Sequence, residues 1–193
     1  MRIALLQCDH VAESLRDITG GDYENLFACH FARHAPDVEL VPFDVTRQQY
    51  PDSLDEFDGF TTTGSQASVY DDEPWVHVFK AFVRQLYQEE RAFVGICFGH
   101  QMMAESLGGT VAKSPNGWGV GVHTMQVHSR EPWMRPPLDQ FHVLMSCQDQ
   151  VEALPERSVV LGGSEFCPVG MFRVGDHFLG IQGHPEFSVE YAR

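Results

Sequence analysis

The sequence is short of positive charge. Lys and Arg number 13 against 27 Asp and Glu, a formal net charge of −14 over 193 residues. Non-specific binding to nucleic acid or to an anionic membrane needs a cationic face that displaces counterions, so neither partner is expected. Long apolar runs are also missing. None approaches the roughly 20 residues of a membrane span. The opening MRIALLQCDH is too short an apolar run for a signal-peptide core and reads as a first strand. Cysteine is sparse: Cys8, Cys29, Cys97, Cys147 and Cys167 are scattered, odd in number and never in a C-x-x-C pair. That excludes a disulfide framework and a structural zinc site and suits a reducing compartment, so a cytoplasmic protein is expected. There is no H-E-x-x-H, no P-loop and no G-x-G-x-x-G, so the residues ask for no metal and no cofactor.

What is present supports a packed fold. Hydrophobic residues make up 43% of the chain, enough for a sizeable core. With no linker or repeat in view, a single domain over residues 1–193 is expected. The first half alternates strand and helix. Ile3 to Gln7 is an apolar run, Tyr23 to His34 has helical spacing, and Val38 to Val45 alternates as a strand. Gly59 to Thr63 is rich in β-branched Thr. Pro74 opens a helix to about Glu90, with Trp75, Val78, Phe79, Phe82, Val83 and Leu86 on one face. Ala92 to Ile96 is a continuous apolar strand, as at the centre of a parallel sheet, and a helix follows from His100 to Leu107. Alternation of this kind implies α/β architecture with helices on both faces. The second half reads almost wholly as strands: Trp118 to His128, Phe141 to Ser146, Val159 to Gly162, Val169 to Val174 and Phe178 to Gln182. These imply an antiparallel extension of the sheet or a small second sheet. The last residues, SVEYAR, read either as the first turns of a truncated helix or as a natural end.

One stretch could carry chemistry. Gly95 to Gly99 reads GICFG, the thiol form of the G-x-S-x-G nucleophile elbow. A strand that turns sharply into a helix brings backbone close to backbone, so the flanking positions must lack side chains. The apex residue, Cys97, then projects at the C-terminal edge of the sheet, where open α/β sheets bind ligands. It also meets a helix N-terminus, which favours a thiolate, and the N–H of Phe98 would face an oxyanion. The bland alternative is a buried cysteine between two turn glycines. A thiol needs a base, and there are 10 histidines. His30 and His34 lie one helical turn apart and suit a solvated face. His123 and His128 are five apart on a strand and so face opposite sides. His184, in GIQGHPEF, follows an apolar strand and precedes Glu186 by two residues. A carboxylate there could hold one ring nitrogen while the other faces a thiol. A plain turn histidine is the competing reading.

Taken together, GICFGHQ and GIQGHPEF resemble the class I glutamine amidotransferase family, in order and over nearly the whole chain. The resemblance implies a flavodoxin-like three-layer sandwich: a central, mostly parallel sheet with an antiparallel extension in the C-terminal half. It implies Cys97 as nucleophile, His184 as general base and acid, and Glu186 as the group that orients His184. The family's oxyanion loop after the third strand is typically G-G-P-x-S. Here it reads GSQAS, with Gly64 and Ser65 at the donor positions and Ser65 where a glycine would stand. Gln101 resembles the family's substrate-contacting glutamine, and GWGVG (Gly117 to Gly121) falls near the substrate. Where the family often has Ser-His and then an acidic residue, this chain has Ser146, Cys147, Gln148 and Asp149. Ser146 is therefore a candidate substrate contact, and Cys147 replaces the usual histidine.

The implied reaction is hydrolysis of the glutamine side-chain amide through a γ-glutamyl thioester, either in a stand-alone glutaminase-type domain or in a subunit that passes ammonia to a separate synthase. The alternatives are a γ-glutamyl peptide hydrolase using the same triad and a catalytically silent binding homologue. In VYDDEPW, Asp71, Asp72 and Glu73 either read a cationic group or sit as solvated carboxylates at a helix start.

Overall fold

The computed structural model describes residues 1–187, the side chains of residues 18 and 19 excepted. The expected helix start at SVEYAR lies outside the described residues. In chain order the elements are β1 (Arg2–Gln7), α1 (Arg16–Thr19), α2 (Tyr23–His34), β2 (Glu39–Asp44), β3 (Gly59–Thr62), α3 (Pro74–Gln88), β4 (Phe93–Ile96) and α4 (Phe98–Ser106). They continue with β5 (Thr110–Lys113), β6 (Gly119–Val127), β7 (Gln140–Cys147), β8 (Asp149–Ala153), β9 (Ser158–Gly163), β10 (Met171–Val174) and β11 (Phe178–Ile181). The large sheet runs β2-β1-β3-β4-β11-β10-β9-β6-β7. From β2 to β11 every pair is parallel, and from β11 to β7 every pair is antiparallel. This is the expected flavodoxin-like α/β sheet with its antiparallel extension.

The expectation of an antiparallel extension or a small second sheet resolves into both. β5 and β8 pair antiparallel outside the main sheet. Their sequences, TVAK and DQVEA, are too short and too polar for a period-2 signal, so the strands escaped the sequence pattern.

Side-chain alternation along β1 builds a core on each face. Ala4 and Leu6 join Val76, Phe79, Val83 and Leu86 of α3 and Phe98, Met102 and Met103 of α4. Leu5 joins Phe27 of α2, with Ile96, Met125 and Met145, on the other face. The stripe Val76, Phe79, Val83 and Leu86 follows the 3.6-residue period, and all four are fully buried. Each such burial contributes about 1.5–3 kcal/mol over exposure. The expected face of this helix needs one correction. Val78 is exposed, because the row through Phe79 and Val83 takes in position 76 and turns position 78 outward. Helix α4 also starts earlier than the expected His100, directly at Phe98.

At the far side of the parallel half, Asp22 caps α2. Its carboxylate accepts from the Val11 and Tyr23 N–H groups and meets His10 at 2.7 Å, tying the loop after β1 to the helix start. That anchors Tyr23 beside the site described next.

Candidate active site

Three adjacent parallel strands, β3, β4 and β11, end on the same edge of the sheet. Gly64, Cys97 and His184 follow them by two, one and three residues. Residues far apart in sequence therefore meet because their strands are neighbours, in the crevice at the carboxyl ends of an open α/β sheet.

Cys97 forms the turn between β4 and α4. Its backbone sits at φ 50°, ψ −98°, a left-handed conformation that costs a non-glycine residue about 1–3 kcal/mol. The surroundings hold it there. The Cys97 N–H donates to the Ile181 carbonyl at 2.8 Å, and Thr62 Oγ1 accepts from the Ile96 N–H at 3.0 Å. The flanking glycines are required by close approach. A Cβ on Gly95 would lie 2.5 Å from the Gly99 carbonyl, and one on Gly99 would lie 1.9 Å from Thr62 Oγ1. The strand-turn-helix geometry expected of an elbow is present. Thr62, which joins β3 to it, was not singled out in the sequence because a strand threonine carries no distinguishing signal.

His184 is 5% exposed. Its backbone N–H donates to the Leu144 carbonyl at 2.7 Å, and the ring of Phe187 stacks on its imidazole at 4.0 Å between centroids. Nδ1 meets Glu186 Oε1 at 2.8 Å, and the Cys97 thiol is the imidazole's other side-chain partner. Glu186 is itself 5% exposed. Burial alone would pull the imidazole's pKa down, but the negative charges of Cys97 and then Glu186 outweigh it and hold His184 well above the ordinary histidine range. These charges favour the protonated form of His184.

Gly64 sits between these groups. A Cβ there would fall 2.7 Å from His184 Cε1 and 3.6 Å from Cys97 Cβ, so this position must lack a side chain for the loop to approach both residues. Ser65 follows in the cavity wall, its hydroxyl accepting from the Ala67 N–H at 3.1 Å. Among the described residues, none of the turn and loop hydrogen bonds uses the N–H of Phe98, Gly64 or Ser65.

The cavity above Cys97 measures about 320 Å³, a size that suits a small ligand. Gly64, Ser65, Gln101, Ser146 and His184 line it, so the expected site residues with wall positions do converge. Phe98 is fully buried beneath, with its ring in the core against Trp75 and Phe79. The Gln101 amide is already engaged. Its Nε2 donates to the Asp149 carbonyl at 2.8 Å and to Gln182 Oε1 at 3.2 Å. Trp118, from the GWGVG stretch, stands at the rim and is 64% exposed.

Cys147 also lines this cavity, with its thiol pushed far up by burial and then by the charge of Cys97. Cys167, nearby in the same apolar cluster, is pushed up to about 12 by burial. Both are therefore favoured as neutral thiols, Cys147 in the wall and Cys167 in the apolar cluster behind it. His100 is driven down to about 4 by complete burial and packs edge-on against Phe172, outside the cavity.

Asp149 and Lys113 were not assigned roles in the sequence, yet they supply the cavity with one carboxylate and one ammonium. They are cross-strand partners in the β5–β8 pair, and that pairing is what the sequence did not reveal. Ser68 Oγ and Tyr70 Oη donate to the two Asp149 oxygens at 2.6 and 3.0 Å. The acidic run behaves as helix-start carboxylates. Asp71 accepts from the Ser68 N–H and Asp72 pairs with His77, and none of Asp71, Asp72 and Glu73 lines the cavity.

A larger cavity, about 620 Å³ and walled mostly by apolar side chains, opens on the other side of His184 and Phe187. Cys97 is not in its wall. The smaller one has Cys97 in its wall and is the better candidate site.

Comparison with known proteins agrees with this geometry. The family model for class I glutamine amidotransferases matches residues 20–192. Gamma-glutamyl peptidase 3 of Arabidopsis thaliana is 33% identical over 96% of this chain and 76% of its own length. A glutamine-hydrolysing GMP synthase of Caldanaerobacter subterraneus subsp. tengcongensis is 30% identical over 88% of this chain, a match confined to 32% of that longer protein. In fold, a crystal structure of a glutamine amidotransferase from Thermotoga maritima superposes with a TM-score of 0.80, at 24% identity over 96% of this chain and 77% of that one. No helix among the described residues is long and apolar enough to cross a membrane. With a family model covering most of its length and an elbow cysteine opposite a carboxylate-held histidine, the chain belongs to the class I glutamine amidotransferases.

Proposed function

We propose that this protein hydrolyses γ-glutamyl amides through a Cys97-His184-Glu186 triad. The observation that carries the reading is the strained turn that presents Cys97 to the same cavity as a histidine whose Nδ1 is held by a buried carboxylate at 2.8 Å. Nucleophilic catalysis by a thiol needs that arrangement of nucleophile, base and orienting group.

The steps follow from the roles. The Cys97 thiolate adds to the amide carbonyl. The N–H groups of Phe98, Gly64 and Ser65 meet the oxyanion, each donor lowering the barrier by about 3 kcal/mol. The His184 imidazolium protonates the departing amine, leaving a γ-glutamyl thioester. Neutral His184 then takes a proton from water as it attacks the thioester, and glutamate and the free thiol are released. A γ-glutamyl group carries an α-ammonium and an α-carboxylate. Asp149 and Lys113 offer the cavity's walls one opposite charge for each. Gln101 Oε1, the amide atom left after its Nε2 bonds, and Ser146 suit the remaining polar contacts.

The leaving group is the open variable. Relatives named gamma-glutamyl peptidase, similar over nearly the whole chain, favour an amine larger than ammonia. The likeness to GMP synthases favours a second reading, in which glutamine is the substrate and a synthase accepts the ammonia. One assay tests both: ammonia release from glutamine beside amino-acid release from a panel of γ-glutamyl dipeptides, for the parent chain and Cys97→Ser. The parent should turn over at least one class. Cys97→Ser should lose about 10⁵-fold in kcat while remaining folded. Wild-type turnover by Cys97→Ser, or none by the parent on either class, would overturn the reading.

A further inference from the structure

Gln182 is fully buried, one residue past β11 and two before His184. Its Nε2 points at the sulfur of Cys97, 3.6 Å away. Its Oε1 accepts from Gln101 Nε2 at 3.2 Å, and its backbone N–H donates to the Gly170 carbonyl at 2.9 Å. These contacts leave the amide one orientation. Gln101 spends one N–H on the Asp149 carbonyl and the other on Gln182. An inverted Gln182 amide would oppose two NH₂ groups and turn its oxygen on the sulfur. Both conflicts are costly in a buried site. The two side chains therefore form a relay, fixed at one end by the main chain of β8 and ending in an N–H aimed at the nucleophile.

We propose that Gln182 is a positioning residue that holds Cys97 Sγ and favours its thiolate by hydrogen bonding, with Gln101 locking the Gln182 amide in the donating orientation. The proposal rests on the triad reading above only in calling Cys97 the nucleophile. A hydrogen bond to an anion is stronger than one to its neutral form, so a fixed donor favours the thiolate. His184 acts on the same sulfur from the loop after β11. The two differ in kind: His184 exchanges a proton with the reaction, whereas the Gln182 amide cannot titrate and serves as a constant donor. Gln101 also acquires a second duty. Besides lining the substrate cavity it aligns the group behind the nucleophile, so occupancy of the cavity and reactivity of the thiol are linked through one side chain.

The test reads the thiol directly and needs no substrate. Alkylation of Cys97 by iodoacetamide would be followed from pH 5 to 10 by mass-spectrometric quantification of the Cys97 peptide, which separates it from the exposed Cys29. Far-UV circular dichroism would accompany each variant. Gln182→Met removes the donor at similar volume, and its alkylation curve should move to higher pH by about one unit, with roughly ten-fold slower alkylation at pH 7. Gln182→Glu keeps an acceptor for Gln101 but sets a carboxylate against the sulfur, and should move the curve further. Gln101→Met leaves Gln182 in place but frees its amide to turn. It should shift the curve in the same direction by less, and it carries the test if neither Gln182 variant folds. Curves that coincide with the parent's in every folded variant would overturn the proposal. Loss of γ-glutamyl turnover with unshifted alkylation would also count against it. A shifted curve in a parent without γ-glutamyl activity would uphold the relay and sink only the proposed reaction.

Discussion

The parallel and antiparallel halves of the sheet contribute different things to one cavity. The parallel half ends three neighbouring strands on one edge, and from those ends come Gly64, Cys97, Gln182, His184 and Glu186. Each is buried, and each is held by hydrogen bonds or close backbone contact. The C-terminal half supplies walls instead: Trp118, Ser146, Cys147 and Asp149, with Lys113 from the strand that pairs with Asp149's. Trp118, Ser146 and Lys113 are exposed. The difference follows from what each part must do. Groups that exchange protons need fixed distances, which buried parallel strands under two helical layers provide. Groups that bind a small polar ligand need access to water until it arrives. Substitutions in the parallel half should therefore act on kcat, and substitutions in the cavity walls on KM.

The sharpest test of that division is Glu186→Gln. It keeps the volume but removes the charge that helps hold His184 high. The substituted amide can also present the wrong tautomer to Nδ1, so kcat should fall by about 10³-fold. The pH dependence has a definite sign. The Glu186 charge raises the His184 pKa, so without it the imidazolium loses its proton at lower pH. The alkaline limb of the kcat profile should shift toward acid. A limb that stays where it was would show that Glu186 does not tune His184.

Gly64→Ala comes next. Its Cβ would press within 2.7 Å of His184 Cε1 and must push the ring away from the thiol. A misplacement of about 1 Å costs on the order of 10²-fold in kcat. KM should move little, and the same clash against a buried ring should also lower thermal stability. A rise in KM with unchanged kcat would break the comparison.

Asp149→Asn is the mildest of the three and comes from the other side of the comparison. It removes the carboxylate of the β5–β8 pair while keeping its shape. KM for the γ-glutamyl substrate should rise about ten-fold or more, as expected for loss of a hydrogen bond to a charged group, with kcat near the parent's. A fall in kcat at constant KM would place Asp149 with the chemistry.

Much of this was legible beforehand. The strand-turn-helix around Cys97 could be read because glycines at both flanks, an apolar run before and helix formers after are local features. His184 and Glu186 stood out because H-P-E follows an apolar strand. Gln182 was not legible, although it lies two residues from His184, because a glutamine after a strand has many uses and only its neighbours give it one. Asp149 stood where the family often has an acidic residue, but its pairing with Lys113 was hidden for a related reason: cross-strand pairing in two short polar strands leaves no periodicity. Val78 was misassigned to the buried face because Val76 and Val78 look alike until the helix is set against the sheet.

The sequence by itself determined the α/β alternation, the elbow and the likeness to its family, all properties of short contiguous segments. Only the tertiary structure decided that β3, β4 and β11 lie side by side, and hence that Gly64 packs against both Cys97 and His184. It alone set the Gln182 amide against the Cys97 sulfur. The physical reason is that strand order and amide orientation depend on contacts between residues some 80 positions apart, and no local pattern encodes them.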